Sequence, residues 1–173
     1  GRARELLAAA GFPGGRTFPR LEVTAWSPSQ LATLETIQAV WKAQLGIDVG
    51  LRIREAKVHL ASLTSGDYDI AFVTNLLDVA DPLAALGDFT SVAPNNFPHW
   101  RSKEFDSLLA AAAAEASAER QSALLARAEA LLLAEAPIAP LYFNAQNWLM
   151  SPRVRGWKQD ALWNRTYHDL RLD

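Results

Sequence analysis

Two aspartates stand three residues apart in an otherwise apolar stretch of this chain. Asp78 and Asp81 lie within the sequence LLDVADP at residues 76–82. A charged group is unfavourable outside water unless a partner compensates it. A carboxylate in apolar surroundings can therefore bind a cationic group of a ligand, in a pair that is geometrically specific. Alternatively, the carboxylate accepts hydrogen bonds from neighbouring backbone N–H groups and has a structural role.

The two aspartates have different expected roles. Asp81 precedes Pro82 and the sequence LAAL, which predicts a helix N-cap followed by proline at the first helical position. Asp78 carries no such signal. It follows a strand predicted at 68–74, and open α/β sheets bind ligands at the carboxyl ends of their strands. For Asp78 the pattern leaves both ligand binding and a turn-forming role open.

The remaining residue types give little support for catalysis or for a metal site. The three histidines, His59, His99 and His168, are far apart and lack the spacing of metal ligands, so each is interpreted as a solvated or core histidine. The chain has no cysteine, which excludes thiolate nucleophiles and cysteine-ligated metals. Phosphate-binding, dinucleotide-binding and nucleophile-elbow motifs are absent from the sequence. We therefore expect neither an enzyme nor a bound metal or cofactor.

The composition is that of an ordinary globular protein. Of the 173 residues, 50% are hydrophobic and 21% are charged, which is enough chain for one domain with its own core. The net charge is −2, from 17 basic and 19 acidic residues without blocks of one sign. Because a nucleic-acid binder needs a basic face, this distribution excludes a nucleic acid as partner. No apolar run approaches the ~18 residues of a membrane span.

Strands and helices alternate in the first half of the sequence. Alternating apolar residues predict strands at 21–26, 47–54 and 68–74. Between them, an apolar face ended by glycine predicts helices at 31–45 and 57–66. This order predicts the α/β fold class, with a mostly parallel sheet flanked by helices.

The second half of the sequence is mainly helical. A short helix is predicted after Pro82, and long helices are predicted at 102–116 and 117–135, with Ser102 and Ser117 as N-caps. A further strand is predicted at 138–144, and residues 145–173 form an irregular tail. Because the sequence shows no repeat and no clear linker, we expect a single α/β lobe.

Six tryptophans are distributed unevenly over the predicted elements. Trp41 lies on the apolar face of the helix at 31–45 and is predicted to be in the core. The other five lie at element ends or in loops: Trp26, Trp100, Trp148, Trp157 and Trp163. Aromatic residues in such places mark an interface or an organic-ligand surface, or they pack beneath the irregular tail, and both interpretations stay open.

Seven sequence segments together resemble a known family. They are RELLAAAGFPGG (4–15), IQAVWKAQLGIDVGLR (37–52), SGDYDIAF (65–72), DVADP (78–82), SKEFDSLLAAA (102–112), ERQSALLARAEALLLAEAPIAPLYFNAQNWLMSPRVRGW (119–157) and RTYHDLRLD (165–173). In this order they resemble the peptide-binding proteins of ABC importers, the oligopeptide, dipeptide and nickel class of extracellular solute-binding proteins. The resemblance implies that residues 1–173 are one lobe of a two-lobed periplasmic-binding-protein-like fold. It also implies that they are the C-terminal fragment of a longer protein whose N-terminal lobe is missing here, with a tail that returns toward the hinge or the other lobe.

The resemblance also implies a binding site. In the oligopeptide-binding branch, an aspartate in the loop after this strand pairs with the α-ammonium group of the peptide, and the pattern D-x-x-(D/E)-P places it at Asp78. The strand end offers backbone groups to the peptide as to an added strand. The implied ligand-binding residues are Asp78, the backbone rim Thr74, Asn75, Leu76 and Leu77, and the cleft or hinge residues Tyr142 and Asn144.

The chain departs from the branch at two places. The branch often has Gly-Trp before this loop and sometimes an arginine on the strand, whereas Thr74-Asn75 and Phe72 stand here. The resemblance therefore does not extend to a stacking tryptophan or to an arginine that binds the ligand carboxylate. The solute stays open between a peptide, a nickel complex, a sugar and an opine.

The leading hypothesis is thus the ligand-binding lobe of an ABC-importer substrate-binding protein. It captures a peptide or similar organic solute by lobe closure and delivers it to permease subunits in the membrane. We expect a monomer that is periplasmic or lipid-anchored at the surface of a bacterium. One alternative is an enzyme or regulatory domain on a flavodoxin-like lobe, for which the loops offer only Ser27, Ser29, Glu55 and His59. The other is a structural interaction module, favoured if the tail tryptophans cover an exposed patch.

Overall fold

Three parallel strands form the main sheet in the computed structural model of the chain, which describes residues 1–145, 147–160, 162 and 164–173. They are β1 (Leu21–Ala25), β2 (Val49–Ile53) and β3 (Ile70–Ala71), in the order β2-β1-β3. β1 pairs with β2 over five residues from Leu21↔Val49, and with β3 over two. The α/β fold class and the parallel sheet are confirmed.

Helices alternate with the strands in the first half of the chain. They are α1 (Arg2–Ala9), α2 (Leu31–Leu45) and α3 (Ala56–Ser65). The Glu55 carboxylate caps α3 by accepting from the backbone N–H groups of Lys57 and Val58. Gly46 ends α2 at φ 73°, a left-handed conformation that favours glycine. A side chain at Gly46 would also overlap the carbonyl oxygen of Gly14.

Alternate residues of β1 contribute to two different environments. Val23 and Ala25 are buried with Leu34 of α2, and Trp41 packs against this apolar cluster, as its position on the helix predicts. Thr24, between them in sequence, is buried as a polar residue, and its Oγ1 donates to the carbonyl oxygen of Ile70. The sheet therefore combines an apolar α2 side with buried polar groups.

Helices dominate the second half of the chain. They are α4 (Pro82–Gly87), α5 (Lys103–Ala114) and α6 (Ala118–Glu135). Ser102 and Ser117 cap α5 and α6, as predicted, because their side chains accept from the backbone N–H groups of Phe105 and Arg120. The buried core consists of residues from α5 and α6: Phe105, Leu108, Leu109, Ala112, Leu125, Ala128 and Leu132.

Two predicted strands differ from the structure. β3 covers Ile70–Ala71 rather than 68–74, although the Phe72 N–H still donates to the Thr24 carbonyl oxygen. β1 ends at Ala25, so the chain beyond Phe72 has no neighbouring strand among the described residues. The strand predicted at 138–144 is not formed, because none of the described residues pairs with it. An alternating apolar sequence predicts a strand face but does not supply a hydrogen-bonding partner.

The tail contains two small antiparallel ladders. β4 (Val154–Arg155) pairs with β7 (Arg171–Leu172), and β5 (Lys158–Gln159) pairs with β6 (Arg165–Thr166). Two tail tryptophans pack on each other: the Trp148 and Trp157 ring centroids are 5.4 Å apart, and the Arg165 guanidinium lies 4.1 Å from the Trp148 ring. The expectation for Trp163 lies outside the described residues.

The chain folds into two compact units, an N-terminal unit, Gly1–Thr74, and a C-terminal unit, Asn75–Asp173. The expected assignment of both to a single lobe stays a prediction. In the described part of the chain, no helix combines the length and apolar composition needed to cross a bilayer.

Candidate ligand-binding loop

Residues 75–81, which we call the ligand loop, are attached to both ends of helix α4. At the end of the loop, Asp81 is the N-cap of α4, and its Oδ1 accepts from the Leu83 backbone N–H at 2.9 Å. The predicted capping role of Asp81 is confirmed. At the beginning of the loop, Asn75 Nδ2 donates to Oδ2 of Asp88, the residue after α4, at 3.0 Å. Because the six residues of α4 span about 9 Å, the two attachment points of the loop, at either end of this helix, are separated by about that distance.

Asp88 is itself held by a second hydrogen bond. Its Oδ1 accepts from Asn95 Nδ2 at 3.1 Å, so each carboxylate oxygen has one amide donor. The neighbour of Asn95, Asn96, is 6% exposed. Asn96 Nδ2 donates to the carbonyl oxygens of Thr90 and Trp100, and its Oδ1 accepts from the Trp100 N–H. Asp88, which accepts the hydrogen bond from the ligand loop, is thus part of a hydrogen-bonded segment at 88–100.

Asp78 lies at the middle of the ligand loop, three residues from each attached end. It is exposed, and no described residue donates a hydrogen bond to its carboxylate or forms an ion pair with it. The turn-forming role that the sequence left open is therefore not found among the described residues. The carboxylate is accessible to a cationic group from outside this chain.

The apolar neighbours of Asp78 do not bury it. The side chains of Leu76 and Val79 are 62% and 52% exposed, and only Leu77 is partly buried. A low-dielectric setting for Asp78 would have to come from a further covering surface, because the loop by itself leaves the carboxylate in water.

The predicted backbone rim is accessible. Thr74, Asn75 and Leu76 are exposed, and no backbone hydrogen bond to another described residue involves positions 73–80. Unpaired backbone N–H and C=O groups are the groups that an extended peptide binds when it adds as a strand. Asn75, at one of the places where the chain departs from the oligopeptide-binding branch, uses its side-chain amide to bind Asp88.

The two other predicted site residues are not joined to the ligand loop. Tyr142 is 57% exposed and Asn144 is also exposed, within an unpaired extended segment. No described hydrogen bond or ring contact connects either of them to residues 75–78. Their assignment to a binding site stays a prediction.

The charge of this region is negative. Between Lys57 and Arg101 the sequence contains no lysine or arginine but five aspartates: Asp67, Asp69, Asp78, Asp81 and Asp88. Within the described residues, no group of three or more metal-type side chains is arranged to hold a metal ion. The ligand loop itself carries two aspartates, Asp78 and Asp81, and no basic residue, which favours a cation over an anion.

The polar residues of the alternative enzyme site are already bound locally. The hydroxyl groups of Ser27 and Ser29 lie 2.8 Å apart at the start of a short turn of helix, and Glu55 caps α3. His59 is 2% exposed, and its Nε2 lies 3.2 Å from the Phe72 carbonyl oxygen. Burial lowers the pKa of His59, and the neighbouring Arg54 lowers it further. Among the described hydrogen bonds, none joins Ser27 or Ser29 to the side chain of Glu55 or His59.

A polar cavity of about 340 Å³ lies in the N-terminal unit. Most of its charged side chains are engaged within the chain: Arg54 lies 3.6 Å from the Glu22 carboxylate, and the Asp69 carboxylate accepts from the Glu22 backbone N–H. The cavity is lined by Glu22, Arg54, Gly66, Asp67, Tyr68 and Asp69. Because its arginine and two of its carboxylates are engaged within the chain, we assign no ligand to this cavity.

The attachment of Asn75 to Asp88 has no signal in the sequence. The two residues are separated by 13 positions, and a surface aspartate after a short helix predicts no particular partner. Only the fold of α4 brings them together.

The chain matches known solute-binding proteins over most of its length. Residues 1–97 match the family described as bacterial extracellular solute-binding proteins, family 5 Middle. The periplasmic oligopeptide-binding protein OppA of Salmonella typhimurium is 32% identical over 157 residues, 90% of this chain and 28% of the relative. The periplasmic murein peptide-binding protein MppA of Escherichia coli is 27% identical over 171 residues, 96% of this chain and 32% of the relative.

Solved structures show the same fold. The murein tripeptide binding protein MppA of Escherichia coli superposes with a TM-score of 0.82 at 29% identity, over 90% of this chain and 30% of that one. DppA of Helicobacter pylori, solved in complex with the peptide STSA, gives 0.68 at 28% identity, over 79% of this chain and 27% of that one. The chain spans about a third of the length of the curated relatives that it matches.

Proposed function

Because this chain belongs to family 5 of the bacterial extracellular solute-binding proteins, we propose that it is a ligand-binding part of an ABC-importer binding protein. The observation that carries the proposal is the state of Asp78. Its carboxylate is exposed and has no described partner, in a loop attached at both ends. We infer that Asp78 binds the free amino terminus of a peptide or of a similar cationic organic solute.

The mechanism uses two kinds of contact. The unpaired backbone of residues 73–77 offers hydrogen bonds to an extended ligand, and Asp78 neutralises the ammonium group at its end. When a second surface closes over the ligand loop, water is excluded and the ion pair strengthens. The same closure covers the exposed side chains of Leu76 and Val79, which stabilises the closed form.

The covering surface is, in this proposal, the lobe that this chain lacks. The segment that carries Tyr142 and Asn144 supports a covering surface, because its apolar side chains are exposed. The exposed fractions are 51% for Leu141, 101% for Phe143 and 105% for Leu149. Apolar side chains so close in sequence are seldom left in water. We propose that residues 138–150, together with the tail, lie against the hinge or the other lobe of the complete protein.

The remaining assignments follow from the relatives. The three proteins named here are described as binding proteins, and all three are described as periplasmic. We propose that the complete protein is a non-enzymatic monomer in the periplasm, or lipid-anchored at the cell surface. It would deliver its solute to membrane permease subunits of an ABC importer.

The test is Asp78→Asn in the full-length protein, with binding measured by calorimetry. The probes are a series of two- to five-residue peptides, each with a free and an acetylated amino end. An ammonium group buried without its partner should weaken binding of free-amine peptides by about 2–4 kcal/mol. Peptides with an acetylated amine should bind wild type and variant alike.

Asp81→Asn is the matched control. Asparagine caps helices about as well as aspartate, so this variant removes a nearby charge but keeps the α4 cap. If acetylation of the peptide and Asp78→Asn each leave the affinity unchanged, Asp78 does not bind the amino terminus. Mass spectrometry of small molecules that co-purify with the full-length protein then identifies the solute class directly.

A further inference from the structure

We propose that Asp88 is a positioning residue for the ligand loop, which holds Asp78 where it binds the ligand ammonium group. This inference rests on the proposed function of Asp78. Asp88 does not itself contact the ligand in this proposal. It acts through Asn75, whose amide group binds one oxygen of the Asp88 carboxylate at 3.0 Å.

Residues 75–80 of the ligand loop form no backbone–backbone hydrogen bond with any described residue. Among the described hydrogen bonds, the two that hold the loop are side-chain contacts at its ends, Asn75 with Asp88 and Asp81 with the Leu83 N–H. These contacts fall three residues before and three residues after Asp78. With only the Asp81 contact, the half of the loop that carries the predicted backbone rim would be unattached.

Asp88 is suited to this role because it is held from the other side as well. Its second oxygen accepts from Asn95 Nδ2 at 3.1 Å. Asn95 adjoins Asn96, a buried side chain that is bound to the backbone of Thr90 and Trp100. Since a carboxylate has acceptors only, Asp88 accepts both amide donors at once, and the loop is linked to a fixed segment.

The first experiment replaces Asp88 by alanine in the full-length protein and compares free-amine with N-acetylated peptides. Loss of the loop contact should weaken binding of the free-amine peptide by about three- to tenfold, the effect of one net hydrogen bond. Binding of the acetylated peptide should fall less, because it uses the backbone rim but not Asp78. When combined with Asp78→Asn, Asp88→Ala should cause a smaller further loss than it does in the wild type.

Asp48→Ala is the control. Asp48 is also an exposed aspartate that accepts a side-chain hydrogen bond, from Lys42 Nζ at 3.0 Å, but it lies in the N-terminal unit. This variant should leave both peptide affinities unchanged. Asn75→Ala removes the loop contact from the other side and should reproduce the Asp88→Ala pattern, including in the case that Asp88→Ala does not fold.

The second experiment exchanges the two partners. In the double variant N75D/D88N, the net charge is kept and a hydrogen bond between the two positions is restored, with donor and acceptor reversed. The asparagine introduced by D88N retains a carbonyl oxygen for Asn95. The exchange should recover most of the affinity for the free-amine peptide that D88N alone loses.

The outcomes separate this inference from the proposed function. If Asp78→Asn weakens binding but Asp88→Ala and Asn75→Ala do not, the positioning role is wrong and the role of Asp78 stands. An equal loss for free-amine and acetylated peptides overturns it too, because it shows a general disturbance of the site. If the exchanged pair fails to recover affinity, the direct hydrogen bond is not the cause. If Asp78→Asn has no effect, both proposals fail together.

Discussion

Asn96→Ala tests how the segment behind the ligand loop is held together. Asn96 is 6% exposed and makes three hydrogen bonds: to the Thr90 carbonyl oxygen at 3.2 Å, to the Trp100 carbonyl oxygen at 2.7 Å and from the Trp100 N–H at 3.3 Å. The Thr90 oxygen keeps a partner in the Ala93 N–H. The two backbone groups of Trp100 have no other hydrogen bond to a described residue. The variant therefore leaves both of them unpaired.

The expected loss in the free energy of unfolding follows from these contacts. Three hydrogen bonds at about 0.5–1.5 kcal/mol each, two of them leaving an unsatisfied backbone group, give a loss of about 2–4 kcal/mol. The effect reaches the core, because the Trp100 ring packs on Phe105 with centroids 4.9 Å apart and its Nε1 donates to Glu135. Asn96→Asp should destabilise the fold as well, since it turns an oxygen toward the two carbonyl groups that now accept from Nδ2.

The assay is urea denaturation followed by tryptophan fluorescence, with linear extrapolation to water. Asn95→Ala is the control: it is the same substitution one residue earlier, at an exposed side chain whose described hydrogen bond goes to Asp88 alone. It should change the free energy of unfolding by no more than about 1 kcal/mol. Equal losses for the two variants, or a loss below about 1 kcal/mol for Asn96→Ala, would refute the reasoning.

Two further predictions concern the α4 cap and the buried histidine. Asp81→Ala removes the acceptor for the Leu83 N–H and should lower the free energy of unfolding by about 1 kcal/mol, whereas Asp81→Ser should lower it less; equal losses in urea denaturation would contradict a capping role. Burial and then Arg54 lower the pKa of His59 in the folded state below its ordinary value of 6.5, so the unfolded state binds the proton more readily. Stability should therefore fall as the pH drops from 6.5 toward the lower folded pKa, and His59→Gln should reduce that fall; identical pH dependence of the two proteins would show that His59 is not responsible.

The sequence was sufficient to predict the role of only one of the two aspartates. For Asp81, the local order Asp-Pro followed by helix formers was sufficient, because capping depends on residues two or three positions away. For Asp78, the same reasoning left a turn-forming role open. The structure shows no described partner for its carboxylate, and the family resemblance, confirmed by the match over residues 1–97, is the basis for proposing that it binds a ligand.

The errors concern the pairing of strands rather than their sequence patterns. Residues 138–144 carry alternating apolar side chains but have no described strand beside them, and 68–74 extends beyond the end of its neighbour β1. Both spans were predicted from side-chain alternation, which is a local property. A strand also requires a second segment of backbone at hydrogen-bonding distance, which alternation does not encode.

The sequence by itself determined the α/β class, the helix caps and the family, because each depends on short patterns or on their order along the chain. The tertiary structure decided the length of β3, the exposure of Asp78 and the attachment of Asn75 to Asp88 across 13 positions. The physical reason is that hydrogen bonds between distant residues form only after loops have closed, and no local residue preference specifies that closure. In our proposals, the sequence therefore identifies Asp78 as the binding group, whereas the position of that group depends on the helix that follows the loop.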